Sequence, residues 1–353
     1  MKKYVFSLCI CLLGLTGGVL SQSFDTPKFT VNGHLLSGSN FFKNSNAQDS
    51  VFDFAYNMDM SIDLGTNLTG FVQFQGSQAE SPVGFSGPTI QVTDLSVAYM
   101  SDNQDWSVIG GTFDAPFGYY ISYLSNNADM STNFMITNPL IYDYIGGVSG
   151  VKLESDVSLY SSTIAVFNGL KEEASEGDNI GGIIQFKPKF SGGYDKIGLS
   201  LIYSNDDDTE LIHDTIFSGW MLDYSHTFNN KLNINSYYAG LTFNDQVDGT
   251  DDKVKTILLE LMYPFLGYNW SLRYDAWIPE DHNGTGAKNE DLPLIGFSSD
   301  PTRPSDQTMT TYLAGLSKDI SEQVLFKSQA IHQKYEKSNQ NVSAILSYFC
   351  FSF

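Results

Sequence analysis

From Val51 to Leu64 an apolar side chain falls on every second position: Phe52, Phe54, Tyr56, Met58, Met60, Ile62 and Leu64. Between them stand Asp53, Ala55, Asn57, Asp59, Ser61 and Asp63. A helix would scatter those carboxylates around its axis, whereas a strand gathers them on one face. Gly65-Thr66-Asn67 supplies a tight turn. Leu68, Gly70, Val72 and Phe74 then resume the apolar row opposite Thr69, Gln73 and Gln75. Two folds accept such a strand. A soluble sandwich would take the apolar side as core; a barrel would turn it to lipid and the acidic side to a lumen.

The same beat predicts strands near 27–38, 51–64, 68–78, 90–100, 105–113, 147–154, 157–168 and 180–188. A second half follows near 196–204, 215–228, 231–243, 253–263, 268–278, 307–317, 323–335 and 343–353. The segment near 90–100 changes phase around Thr93, which predicts a bulge. The total is about 16, even as bacterial single-chain barrels require. It falls to about 14 if the weak segments near 105–113 and 147–154 are loop. Connections alternate in length: short at 65–67, 101–104, 155–156, 189–195, 229–230, 264–267 and 318–322, longer in between. Short periplasmic turns opposite long external loops mark a transmembrane antiparallel β-barrel. With no internal repeat or linker, residues 22–353 read as one all-β domain.

One connection stands apart. Asp-Ala-Pro-Phe-Gly-Tyr-Tyr from Asp114 to Tyr120 runs on through Asn126, Asn127, Asn138 and Pro139 to Gly146, with no period of two or 3.6. A compact domain keeps so long a loop when it is functional or covers something. Its place between the fifth and sixth strands makes it the third external connection. It carries Asp114, Asp129 and Asp143 but no Lys or Arg, so it is expected to fold into the lumen, narrowing and acidifying it.

Composition sharpens this reading. Lys2 and Lys3, the apolar run Tyr4 to Leu15 and the small-residue site Val19-Leu20-Ser21 form an export signal, so residues 1–21 are expected to be removed. The run is too short for a spanning helix, which needs about 20 residues. Losing the two lysines takes the net charge from −21 to −23. So acidic a chain has no basic patch to replace phosphate counterions, which argues against nucleic acid. Only Cys350 remains, so neither a disulfide framework nor a Cys metal site is expected. Aromatics make up 14% and charged residues 17%. An exported chain of that kind with no apolar helix fits a barrel.

Catalytic chemistry finds little purchase. His34, His213, His226, His282 and His332 form no His-x-x-x-His pair. His34 and Ser39 could suggest a barrel lipase, without a G-x-S-x-G elbow or third member. Asn205 to Asp208 with Glu210, and Asp248 with Asp251 and Asp252, offer hard oxygens for Ca²⁺ or for bridging to lipopolysaccharide phosphates. Neither has the EF-hand spacing, and solvated loops are the simpler reading. No catalytic residue, cofactor or metal is assigned. The wall is more informative. Alternation places Asp53, Asn57, Asp59, Gln73 and Gln75 in the lumen, joined by Asp223, Asn233, Asn235, Arg273, Asp275 and Lys327. Arg273 and Arg303 are the two arginines of the chain, too few for a ladder that would bind oxyanions. Carboxylates around a narrow lumen favour cations. The chain ends on Phe353, with Ile345, Phe349 and Phe351 on the same face. In a soluble protein that edge would be an aggregation hazard.

Gly110-Gly111-Thr112-Phe113-Asp114-Ala115-Pro116-Phe117-Gly118 resembles Gram-negative outer-membrane porins, in particular those of the OmpL-like kind. There a strand ending in Gly-x-Phe-x-x-Pro-x-Gly opens a long loop, which Asn127, Ser131, Asn138-Pro139 and Gly146-Gly147 continue loosely here. The final strand ending in Phe353 resembles the signal read by the outer-membrane barrel-assembly machinery. The likeness implies a trimeric, water-filled outer-membrane barrel with lipid and lipopolysaccharide around it. It places Asp114, Pro116, Phe117, Gly118, Asn127 and Asp129 on the constriction. It departs from charged porin eyelets because the loop has no base; a transverse field then needs Arg273 or Lys327 on the far wall. Passive diffusion of small hydrophilic solutes with a mild cation preference is the expected function. A barrel plugged by its own loops, serving as a structural or adhesive surface protein, is the alternative.

Overall fold

The computed structural model describes residues 28–43, 50–77, 91–118, 147–168, 180–189, 195–207, 214–245, 250–282, 308–336 and 341–352. Within them lie sixteen strands. The first eight are β1 (Lys28–Lys43), β2 (Ser50–Gly65), β3 (Leu68–Ser77), β4 (Gln91–Met100), β5 (Trp106–Asp114), β6 (Gly147–Asp156), β7 (Tyr160–Phe167) and β8 (Ile180–Pro188). The rest are β9 (Asp195–Asp207), β10 (Asp214–Thr227), β11 (Asn233–Asp245), β12 (Thr250–Phe265), β13 (Tyr268–His282), β14 (Met309–Ser321), β15 (Val324–Tyr335) and β16 (Asn341–Ser352). Each pairs antiparallel with its sequence neighbours, and β1 pairs with β16 from His34 opposite Ser352 to Lys43 opposite Ser343. The sheet is therefore a closed barrel without an edge.

The segments near 105–113 and 147–154 are both strands, pairing from Trp106 opposite Ser155 to Asp114 opposite Gly147, so the count of sixteen stands. The bulge is where the phase change placed it. Gln73 pairs with Asp94 and Phe74 with Val92, leaving Thr93 outside the ladder. The first strand is longer than its alternation suggested, reaching Lys43. Its register with β2 slips between Gly38 and Asn40, which breaks the period there.

Period two decides which side chains leave the wall. Along β9, Leu199, Leu201 and Tyr203 are exposed while Ser200, Ile202 and Ser204 are buried; β16 repeats this with Ile345, Phe349 and Phe351 outside. The exterior is thus an apolar belt. Near the short-turn end aromatics gather on it: Tyr99 beside Trp106 at 5.6 Å, Tyr160 beside Phe186 at 5.5 Å, and Phe326 beside Phe349 at 5.2 Å. Amphipathic rings at such a boundary are how barrels anchor in a bilayer interface.

Lumen wall and candidate constriction

Inward side chains fall into two tiers. Close to the short turns the wall is polar and charged. Gln185, Ser200, Asp223, Asn235, Glu260, Ser271, Arg273, Ser317 and Lys327 are all buried there. Farther along the same strands it turns apolar, with Phe113, Phe167, Ile183, Phe217, Met221, Leu241, Phe243, Trp277, Met309 and Tyr335. This corrects the expectation of a polar lumen. Polar alternation holds on β2 and in the lower tier, but the upper tier of β7 to β16 is packed like a core. Barrels of this size ordinarily enclose water, so an apolar inner wall is stable where other side chains lie against it.

Part of that cover is visible. After β5 the chain does not turn back to β6 at the rim. Ala115, Pro116, Phe117 and Gly118 are all buried. The amide of Gly118 donates to Ser200 Oγ at 2.9 Å. Ser200 is on β9 and Met221 on β10, both inward, several strands around the ring from β5. A segment leaving β5 can reach them only through the lumen. Gly118 has φ +83, and a Cβ there would collide with Met221 Sδ, so this position needs glycine on two counts. Ala115, Pro116, Phe117 and Gly118 thus form an inward strap, while Asp114 ends β5 in the ladder opposite Gly147. Asn127, Asp129 and Asp143 lie outside the described residues.

The predicted wall residues can be placed one by one. Asp59 and Gln73 face each other across β2 and β3, and Gln73 Nε2 donates to Asp59 Oδ1 at 2.9 Å. Asp53, Asn57 and Gln75 occupy the same inward rows by register, Asn57 being paired with Gln75. Their side chains are not among those described. Asp223, Arg273, Asp275 and Lys327 are buried in the inner wall. Asn235 is inward too, its amide donating to Glu260 Oε2 at 3.2 Å. Asn233 donates from Nδ2 to Thr227 Oγ1 at 2.8 Å. Arg303, Asp208, Glu210 and Asp248 lie outside the described residues, while Asn205 to Asp207 end β9 and Asp251 and Asp252 belong to β12.

Several members escaped the sequence reading. Glu260 stands directly opposite Arg273 across β12 and β13. It sits in Leu258-Leu259-Glu260-Leu261, where apolar residues on both faces hide the alternation. A lone acid in such a run was the available signal. On β6, Lys152 pairs with Glu154 at 2.8 Å and lies 5.2 Å from the Phe113 ring centre. Lys187 on β8 lies within electrostatic reach of Asp223, whose carboxylate folds over Gly198, where a side chain would leave it no room. His34 and Ser39 both lie on β1, opposite Ser352 and Ser347 of β16, and the register of β1 with β2 slips beside Ser39.

The closed barrel has counterparts among solved structures. No family model matches the chain, and no curated sequence is similar to it. Its structure is similar to an anion-selective porin from Comamonas acidovorans, with a TM-score of 0.66 at 11% identity over 93% of this chain and 100% of that one. The outer membrane protein OmpT of Vibrio cholerae, in a trimer form, gives 0.65 at 10% over 93% and 100%. The outer membrane channel DcaP of Acinetobacter baumannii gives 0.60 at 10% over 94% and 99%. The fold is that of the transmembrane porin barrels of Gram-negative outer membranes.

Proposed function

We propose that this barrel resides in the outer membrane of a Gram-negative bacterium and passes small hydrophilic solutes and ions by diffusion, with a mild preference for cations. The observation that carries the reading is the strap from Ala115 to Gly118, seated against Ser200 and Met221 inside the lumen. A chain that only anchors a surface protein has no need to send its third loop through the bore. Asn127, Asp129 and Asp143 would extend the constriction from there. Its basic side would be Arg273 on β13, three strands from the β10 wall against which the strap is seated.

The cation preference rests on the acids of the lower tier. Asp59, Asp223, Glu260 and Asp275 face inward with Arg273 and Lys327. Lys152 is paired with Glu154. The Comamonas neighbour is described as anion-selective; the acidic loop and wall support the opposite sign here. We read the mature chain as residues 22–353 after loss of the signal 1–21, and as a homotrimer, in keeping with the trimer form of one neighbour. Lipid and lipopolysaccharide would surround the belt, and the assembly machinery would read the final strand. The reading assigns no catalysis and no cofactor.

The packed upper tier favours one second reading, a barrel closed by its own chain. Recording from single proteins in a planar bilayer separates the two. Stepwise conductance is expected, with a reversal potential in a KCl gradient of the sign that K⁺ permeation gives, moving toward zero in Asp223→Asn. Silence in every membrane would establish the closed barrel, and a reversal potential of chloride sign would remove the cation reading.

A further inference from the structure

On the outer surface one row crosses five strands at the short-turn rim. Phe265 stands opposite Tyr268, Lys318 opposite Phe326, and Phe326 opposite Phe349. Lys318 joins the two halves by lying over the Tyr268 ring, its Nζ 4.9 Å from the centre. Ser317 and Lys327, their neighbours in the chain, are buried in the inner wall, so alternation turns Lys318 and Phe326 outward. Lys152, Lys189 and Lys255 each pair with a carboxylate. Among the described residues no carboxylate pairs with Lys318. Asp319 belongs to the inward row, opposite buried Leu325, and Glu322 stands in the turn beyond. A rim of rings holding one unneutralised cation complements an anion at the depth of lipid headgroups.

The next outward positions toward the bilayer centre are hydroxyls. Ser328 lies opposite Ser347, and their hydroxyls share one hydrogen bond of 2.9 Å. Such a pair spends one of its two hydrogens and leaves the other to find an acceptor. In hydrocarbon an unmet donor is costly, and an ester carbonyl would meet it. One row farther, Ala314 and Ala330 stand opposite each other, both exposed. Leu272 on β13 and Ile345 on β16 flank them and are exposed too. Small side chains thus floor a shallow groove between larger ones. It ends at Tyr312 and His332, also opposite each other, where the His332 ring bonds Ser343. Three steps of two residues separate Lys318 from Tyr312, about 20 Å of strand. At a tilt of about 40° that covers about 15 Å of depth, one leaflet of the hydrocarbon core.

We propose that the outer face of β14 and β15 binds one anionic glycerophospholipid, its phosphate on Lys318, an ester carbonyl on the Ser328–Ser347 pair and an acyl chain over Ala314 and Ala330. The site rests on the outer-membrane placement proposed above, with the short turns toward the periplasm, and adds a resident lipid to the general surround. The order of groups along the groove, cation, hydroxyl pair, then small apolar floor, is the order of a phospholipid from headgroup to chain. A zwitterionic headgroup carries its own ammonium, which weakens the hold of Lys318 on the phosphate, so an anionic lipid is preferred.

The test is native mass spectrometry of the full mature barrel, folded in detergent and titrated with dioleoyl phosphatidylglycerol. Dioleoyl phosphatidylcholine and lipopolysaccharide serve as comparators, and heat-modifiable gel migration verifies each variant's fold. One phosphatidylglycerol per chain is expected to bind, more tightly than phosphatidylcholine. Lys318→Gln should lower its affinity about tenfold or more, the weight of one charged hydrogen bond, and Lys318→Arg should keep it. Ser328→Ala with Ser347→Ala should weaken both phospholipids about threefold. Ala330→Trp, which fills the groove at an exposed position, should prevent retention of either, and carries the test if Lys318→Gln does not fold. Equal binding of the two phospholipids, or unchanged affinity in Lys318→Gln and Ala330→Trp, overturns the site. Displacement by lipopolysaccharide assigns the face to that lipid, and a changed number of chains per particle in either variant makes it a contact between copies; both overturn the phospholipid. A barrel that retains phosphatidylglycerol in this way but passes no current loses the channel and keeps the site. A conducting barrel that binds the two phospholipids alike does the reverse.

Discussion

Two strands separated only by β1 show opposite solutions for a lumen wall. On β2 the row that holds Asp59 continues with Ser61 and Asp63, and Asp59 accepts a hydrogen bond from Gln73 across the strand gap. On β16 the inward row reads Val342, Ala344, Leu346, Tyr348 and Cys350, all buried, while Ile345, Phe349 and Phe351 face outward. The first strand has one wet face and one greasy face. The second is greasy on both. A lumen position need be polar only where water reaches it. Where other chain lies against the wall, apolar packing is the more stable choice, and period two survives only as a pattern of burial.

That contrast can be broken by exchanging the chemistry. Tyr348→Asp places a carboxylate where the native ring is 0% exposed. Burying an unpaired charge costs several kcal/mol, so the barrel should fail to give the heat-stable folded band on a gel. Asp59→Leu on the polar wall should leave that band in place. Survival of Tyr348→Asp would mean that water reaches β16, and the contrast would collapse.

A middle-sized effect tests the cover itself. Gly118→Ala introduces a Cβ against Met221 Sδ at φ +83. Backbone strain of this kind costs about 1–3 kcal/mol. The strap should lift from Ser200, lowering the urea midpoint and raising single-channel conductance. Adding Met221→Ala should relieve the clash but not the φ, restoring part of the stability. Unchanged conductance in Gly118→Ala would show that the strap does not limit the bore.

The smallest effect sharpens the polar side. Gln73→Leu removes the 2.9 Å bond to Asp59 and should cost about 1 kcal/mol, the net worth of one partly wet hydrogen bond. Denaturant titration measures it. A loss as large as that of Tyr348→Asp would mean that β2 is packed as tightly as β16.

How far the sequence could be read follows from the same difference. On β2 and β3 the acid and amide rows were visible because polar and apolar residues mostly alternate there, Ala55 and Phe71 being exceptions. On β5 the Gly-x-Phe-x-x-Pro-x-Gly run marked the strap, since a glycine and a proline after a strand leave few other conformations. The inward pair Glu260 and Arg273 was half visible: Arg273 was expected in the lumen, but its partner lay in an apolar run with no phase of its own. Lys152 and Lys187 were hidden by strands too short and too rich in glycine to set a clear phase.

Strand number, antiparallel order, the bulge at Thr93 and the long third connection are local properties, and the sequence by itself determined them. Alternation and turn chemistry act between residues a few positions apart. Which of two apolar faces points inward on β16, and that Phe117 and Gly118 reach β9 and β10, were decided only by the closed barrel. Closure brings together strands distant in the chain, and it is the shared interior, covered in one tier and charged in the other, that gives each inward residue its partner.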